Sequence, residues 1–354
     1  MKVGLFVKLS AFIITGLLIF VFYLYFFVGF NDIIEVFGSI NPFEYSFYYS
    51  ISIIVSLASI LFYSMSWNCL MKALSINVGL KRVFIYCWLG NLVDLIIPFE
   101  TVSGEITRIY LVHRETGGSS GKIVASVVAH RIVTTFITLG GLIFASVFFI
   151  IGYNVSAEIL YPLLLIISGS LLLIGILFYL ALAKEATKKI IETPIKIVTF
   201  IVRDRFNLSD LRERAYRNLI QFHHGFKSFS RNWRALAKSI AYSFIAWLLH
   251  LSIYFLVFYA LGLGWISTKI YETIIVYSIS VAVQNIPIAL PLGLVEIVMT
   301  SLYTLFKIPA AIGGTATLLI RVITFWLQII VGYAIAQWIG VKNLLLRGLK
   351  ETST

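Results

Sequence analysis

VFIYCWLGNLVDLIIPFETVSGEITR, residues 83–108, is the stretch on which the fold turns. Its apolar run, 83–97, stops at Pro98 and gives way to the polar FETVSGEITR. A helix needs about 20 apolar residues to cross the hydrocarbon of a bilayer, so this run is too short to span. A second stretch behaves alike: the apolar segment 272–307 is interrupted by IPIALPLGLVE, Ile286–Glu296. Both read as hairpins that enter a membrane and return, or as interrupted helices. The chain around them has 354 residues, 60% apolar and 12% charged, with a mean hydropathy of +0.95. Soluble domains carry about 25% charged residues. A soluble enzyme, a secreted disulfide scaffold and a disordered chain are therefore excluded, and an all-α polytopic integral membrane protein remains. Six segments are long enough for full spans: 9–29, 47–71, 123–152, 158–183, 236–262 and 312–340.

The basic residues orient these spans. With the N-terminus, 72–82, 108–122, 184–238 and 342–354 on the cytoplasmic side, that side holds 24 of the 28 Lys and Arg. The opposite face holds Lys269 and Lys307, and Arg131 and Arg321 fall inside spans. Cytoplasmic loops of membrane proteins are enriched in this way, which predicts a multi-pass protein of the cell membrane with both termini cytoplasmic. The hairpin 83–121 then opens to the cytoplasm and the hairpin 272–308 to the outside. The net charge of +12 reads as loops facing anionic lipid rather than nucleic acid. Lys2 and Lys8 precede an apolar stretch too long for a cleaved signal, so it reads as a first span. Cys69 and Cys87 lie in or beside apolar runs and carry no redox information.

The whole chain, 1–354, reads as one transmembrane domain with a first half, 1–183, a basic cytoplasmic loop, 184–238, and a second half, 239–340. In the loop, Leu211, Ala215, Leu219, Phe222, Phe226 and Phe229 recur at helical spacing behind a candidate N-cap, Ser209. Two readings stay open for this helix: an apolar face lying in the headgroup layer with Arg212, Arg214 and Arg217 over anionic lipid, or an ordinary surface helix packed on the bundle. The sequons at Asn154 and Asn207 fall in a very short outer loop and on the cytoplasmic side, which argues against glycans.

The two interrupted segments match each other. Pro98, Gly104 and Glu105 are followed by a span containing HRIVTTF, and Pro287, Pro291, Gly293 and Glu296 by one containing IRVITFW. Glu105 and Arg131 are 26 positions apart, Glu296 and Arg321 25. Because one hairpin opens inward and the other outward, the halves are expected to form an inverted repeat. Segments broken by Gly and Pro at matching places in two halves point to a transporter's central site.

Arg131 and Arg321 are expected near mid-membrane, where an arginine costs about 2.5–3.5 kcal/mol on insertion scales. Two arginines and two glutamates would sum to on the order of 10 kcal/mol if unpaired, so they must be paired or hydrated. One reading makes Glu105–Arg131 and Glu296–Arg321 ion pairs that fasten hairpins to spans. The favoured reading is a water-filled cavity in which the arginines attract an anionic headgroup, since guanidinium donates two parallel hydrogen bonds to phosphate. Pairing across the halves fits the spacing equally well. Asp94 is expected to face the first hairpin's interior. Glu100 and Arg108 fit either that interior or the headgroup layer, and Asn91 is a further candidate. His130 is expected as a packed histidine, and Gln284 and Asn285 as partners for the second break's freed backbone groups. The sequence holds no nucleotide-binding loop, metal-ligand spacing or nucleophile motif, so neither an enzyme nor a cofactor is expected.

The segments GNLVDLIIPFETVSGEITRIYLVHR (Gly90–Arg114), AHRIVTTF (Ala129–Phe136), IALPLGLVEIVMTSLY (Ile288–Tyr303) and LLIRVITFW (Leu318–Trp326) resemble the lysylphosphatidylglycerol synthase transmembrane region family, also called flippase-like or uncharacterised 0104 membrane proteins. That family's first hairpin usually reads Asn, a few apolar residues, Pro-Gly, then Gly-Gly-Asp or Gly-Glu and Arg. Here Asp94 stands near the usual Asn, Phe99 replaces the usual Gly, and Glu100 is extra. The resemblance implies a lipid translocase domain, fused in some relatives to a cytosolic aminoacyl transferase that this chain lacks. Other relatives are associated with export of polyprenyl-linked sugars.

Taken together, the expectation is a flippase-like transporter moving a lipid with an anionic or zwitterionic headgroup, phospholipid or polyprenyl-linked sugar, past Arg131, Arg321, Glu105, Glu296, Asp94 and Arg108. Its partners would be anionic lipids and an enzyme that makes the lipid. The alternatives are an ion-coupled carrier of a small anionic solute and, less favoured, an integral-membrane glycosyltransferase.

Overall fold

A computed structural model describes residues 18–96, 102–153, 157–182, 209–284 and 291–340. Every regular element among them is helical. Helix α1 (Leu18–Phe26) turns by 84° at Gly29 into α2 (Phe30–Gly38). Gly29 has φ +87°, a conformation that costs glycine no Cβ clash. The first expected span therefore does not end there but continues as a bent pair. There follow α3 (Pro42–Ala73), α4 (Leu80–Ile96), α5 (Val102–Thr116), α6 (Ser120–Gly152) and α7 (Ala157–Leu182). Then come α8 (Ser209–Arg231), α9 (Trp233–Ala260), α10 (Ile270–Gln284), α11 (Pro291–Leu305) and α12 (Ala310–Ile339).

Five stretches are long and apolar enough to cross a membrane: α3, α6, α9, α12, and α10 together with the 3-10 turn Gly264–Lys269 before it. The bent pair α1–α2 brings the number to six. The first arm of the second hairpin is thus long enough to span, whereas α4, α5 and α11, at about 1.5 Å per residue, reach only about 22–26 Å. Residues 97–101, between α4 and α5, and 285–290, between α10 and α11, lie outside the described residues, and with them Pro98, Glu100, Asn285 and Pro287.

Chain order runs long helix, short helix, break, short helix, long helix, twice: α3–α4–α5–α6 and α9–α10–α11–α12. The two sets interlock. Helix α4 packs on α12 and α10 on α6, while α3 and α9 make the most extensive helix pair in the molecule. Ser59 Oγ donates to the Ala246 carbonyl at 3.0 Å, and Ser66 Oγ lies 2.8 Å from Ser239 Oγ and 2.7 Å from Ser243 Oγ. As positions on α3 rise those on α9 fall, so the pair is antiparallel. Small hydroxyl residues at such seams let helices approach closely and bond across a membrane interior.

Each hairpin is tied at its ends. Arg82 and Tyr86 of α4 both bond Glu115 of α5. Lys269, just before α10, donates to the Phe306 carbonyl just beyond α11 at 3.4 Å and pairs with Glu272 at 3.3 Å. Helix α8 settles the reading left open above: Leu219, Phe222 and Phe229 are buried, the two phenylalanines in a cluster with Leu74, Ile123 and Ala125. The stripe packs on the bundle rather than lying free in headgroups. The side chains of Leu211, Arg212, Arg214 and Ala215 lie outside the described residues.

Candidate functional site

The first hairpin is shaped by one carboxylate. Asp94 Oδ1, near the end of α4, accepts from Ser103 Oγ at 3.0 Å and from the Gly104 backbone N–H at 2.6 Å. Asp94 therefore caps the first turn of α5, where free N–H groups and the helix dipole favour an anion. Gly104 is required for this approach: a Cβ there would collide with the Asp94 carboxylate and the Gly90 carbonyl oxygen. The second hairpin uses a related device. Glu296 Oε2 accepts from the Gly293 N–H at 2.7 Å in the first turn of α11, reaching back three residues as a capping-box glutamate does.

The glutamates pair with the arginines of their own half, which resolves the pairing. Arg321 Nε lies 2.6 Å from Glu296 Oε1, with both side chains at most 5% exposed. Arg131 Nε lies 3.7 Å from Glu105 Oε1, with side chains 33% and 19% exposed. One pair is tight and dry, the other loose and open. Arg131 follows Ser120 by eleven residues and Arg321 follows Ala310 by eleven, which places each about 17 Å along its helix. A π-helical segment, Val322–Trp326, begins directly after Arg321, a distortion often found at functional sites.

Residues of both sets enclose a cavity of about 610 Å³, within the range of ligand pockets. Arg131, Arg321, Arg108, Asp94 and Asn91 all line it. Glu105 and Glu296 do not; they stand behind the arginines they hold. Arg108, for which the sequence left the hairpin interior and the headgroup layer open, lies in the interior. It is 3% exposed, its Nη1 donates to Tyr63 Oη at 3.0 Å, and its guanidinium stacks 5.4 Å from the Trp67 ring and 5.7 Å from the Tyr63 ring. It makes no ion pair among the described residues, and its Nε is buried without a partner. Aromatic faces take the place of a carboxylate for this buried cation. Arg321 Nη2 is likewise buried and unpartnered, beside the Phe325 ring at 4.7 Å. Gln284 Oε1 accepts from Arg321 Nη1 at 3.4 Å; the backbone it was expected to serve lies outside the described residues. His130 is packed edge-on against Tyr63, as expected, and does not line the cavity.

Several wall residues escaped sequence reasoning, although helical spacing marks them. Arg131, Thr135 and Thr138 on α6, Arg321, Thr324 and Gln328 on α12, and Ser243, Trp247, His250 and Tyr254 on α9 form three polar or aromatic stripes on otherwise apolar helices. Chemically, the cavity wall holds one carboxylate, Asp94, already engaged, against three guanidinium groups, so it suits a ligand that brings acceptor oxygens.

Long apolar helices and shorter ones packed around a charged interior cavity define an all-α polytopic membrane protein. The chain belongs to the lysylphosphatidylglycerol synthase TM region family, whose model matches residues 13–332. It is similar to a UPF0104 membrane protein of Pyrococcus horikoshii, 23% identical over 291 residues, 80% of this chain and 84% of that protein. It is also similar to one of Methanocaldococcus jannaschii, 25% identical over 319 residues, 87% of this chain and 88% of the relative. A third relative, from Methanothermobacter thermautotrophicus, is 25% identical over 299 residues, 83% of this chain and 86% of its own length.

Proposed function

We propose that this protein moves a lipid with a phosphate-bearing headgroup between leaflets, and that it is a transporter rather than an enzyme. One observation carries the reading: two arginines, Arg108 and Arg321, each at least 96% buried, keep an unpartnered N–H in the wall of one cavity built from both halves of the chain. A buried guanidinium N–H without an acceptor is costly, and a phosphate oxygen removes that cost. Arg131, held more loosely and partly open, is the group a headgroup reaches with least rearrangement.

The matched order and interlocking of α3–α6 and α9–α12 support an inverted repeat, and with it alternating access about the central cavity. The distribution of basic residues supports a cell-membrane protein with both ends in the cytoplasm. Anionic lipid and the enzyme that makes it are the partners this activity implies. Membership of the family agrees with a lipid-related role.

The experiment is reconstitution in liposomes with fluorescent phosphatidylglycerol and a polyprenyl-phosphate sugar, following lipid in each leaflet. The parent protein moves at least one of them, and Arg131→Ala, purified as a monodisperse species, moves neither. Undiminished movement by Arg131→Ala overturns the reading. Uptake of a soluble anion with no lipid movement replaces it with the small-solute carrier.

A further inference from the structure

His250 is the one histidine in the cavity wall, and neither the sequence motifs nor the reading above uses it. It sits on α9, with its Nδ1 3.4 Å from Tyr277 Oη of α10 and its ring 5.5 Å from the Tyr277 ring. It makes no ion pair among the described residues. Ionisable residues that face the interior of a membrane bundle commonly mark ion or proton pathways.

The charged groups that face the same space come from four of the helices around it. Asp94 stands on α4, Arg108 on α5, Arg131 on α6 and Arg321 on α12. The phenols are Tyr63 on α3, Tyr254 on α9 and Tyr277 on α10. Guanidinium keeps its proton throughout. Asp94 is engaged by a hydroxyl and a backbone N–H, and Glu105 and Glu296 are engaged by arginines. Imidazole is the side chain whose ordinary charge change falls between about pH 5 and 8.

We infer that His250 is a proton site coupled to the anionic cargo, so that the protein carries a proton together with each phosphate headgroup. The inference rests on the lipid-transport reading above. In the empty cavity, a charged imidazole would share the space with three guanidinium groups. A bound phosphate supplies the missing counter-charge. Proton and phosphate therefore favour one another, and linkage requires each to strengthen the other's binding by the same factor. Tyr277, within reach of Nδ1, holds the ring against the cavity wall. The protein would then move lipid from the more acidic side of the membrane to the more alkaline one.

The test uses the full chain in liposomes containing fluorescent phosphatidylglycerol, with an entrapped pH dye and a gradient of one pH unit. Coupling of one proton to each lipid drives a leaflet ratio of about tenfold per pH unit at steady state. The same coupling makes an imposed lipid gradient carry protons that the dye reports. In His250→Gln the leaflet ratio stays at one whatever the rate of lipid movement at equal pH. The dye measurement on the parent protein needs no variant, so poor folding of His250→Gln leaves the inference testable. Lipid movement without proton flux, or a tenfold ratio that persists in His250→Gln, overturns the proton site alone. Absence of lipid movement at every pH overturns the transport reading on which it rests.

Discussion

Neutralising Glu296 separates the two ion pairs energetically. In Glu296→Gln the side chain keeps its size, but its single amide oxygen cannot accept from both the Gly293 N–H and Arg321 Nε, so the charge opposite Arg321 and one hydrogen bond are lost together. That arginine is 4% exposed, and breaking a buried pair by removing one partner costs about 3–5 kcal/mol. Glu105→Gln removes the partner of an arginine one-third exposed and 3.7 Å away, where solvent screening limits the loss to about 1 kcal/mol or less. Unfolding entropy of about 2.1 cal/mol/K per residue gives roughly 0.7 kcal/mol per degree for a chain of this length. Glu296→Gln is thus expected to lower Tm by about 4–7 °C and Glu105→Gln by about 1 °C. Thermal unfolding of purified protein in one detergent measures both. A compensated variant, Glu296→Leu with Arg321→Met, removes both charges and recovers most of the loss, because the penalty lies in the orphaned charge. Equal shifts for the two glutamines, or no recovery in the double variant, would refute the assignment of a dry pair and a wet one.

Two further outcomes follow from the architecture. Gly104→Ala forces Asp94 off the first turn of α5 and lowers stability by about 1–3 kcal/mol, read as a lower Tm, whereas Gly152→Ala, where a Cβ meets nothing, leaves Tm within a degree. In a cysteine-free background, Ser267→Cys, exposed just before α10, is labelled in intact cells by an impermeant maleimide. Lys227→Cys, exposed on α8, is labelled only after permeabilisation. The reverse pattern would invert the orientation.

Proline and glycine act locally, so the apolar runs ending near Pro98 and Ile286 mark the two interruptions in the sequence whatever surrounds them, although the interruptions themselves lie outside the described residues. The two Glu–Arg pairs were legible for a similar reason, since a charge inside an apolar span demands a partner. Arg108 was not. A basic residue near a hairpin's open end has the same sequence signature whether it lies in headgroups or folds inward, and the aromatic pair that accommodates it, Tyr63 and Trp67, comes from another helix. His250 was hidden because its neighbours in space arrive from several separate helices. The stripe on α8 recorded that one face is buried without recording what buries it, and only the packing of Phe222 and Phe229 beside Leu74 and Ile123 tells bundle from lipid.

The interior cluster carries three cations, Arg108, Arg131 and Arg321, and three anions, Asp94, Glu105 and Glu296. A single charge crossing the whole membrane field gains or loses about 2.3 kcal/mol per 100 mV. Six charges that cancel, moving together, gain or lose almost nothing. On the proposed transport cycle this cluster offers membrane voltage no net charge to act on, so the return stroke is expected to proceed at the same rate in a polarised and a depolarised cell.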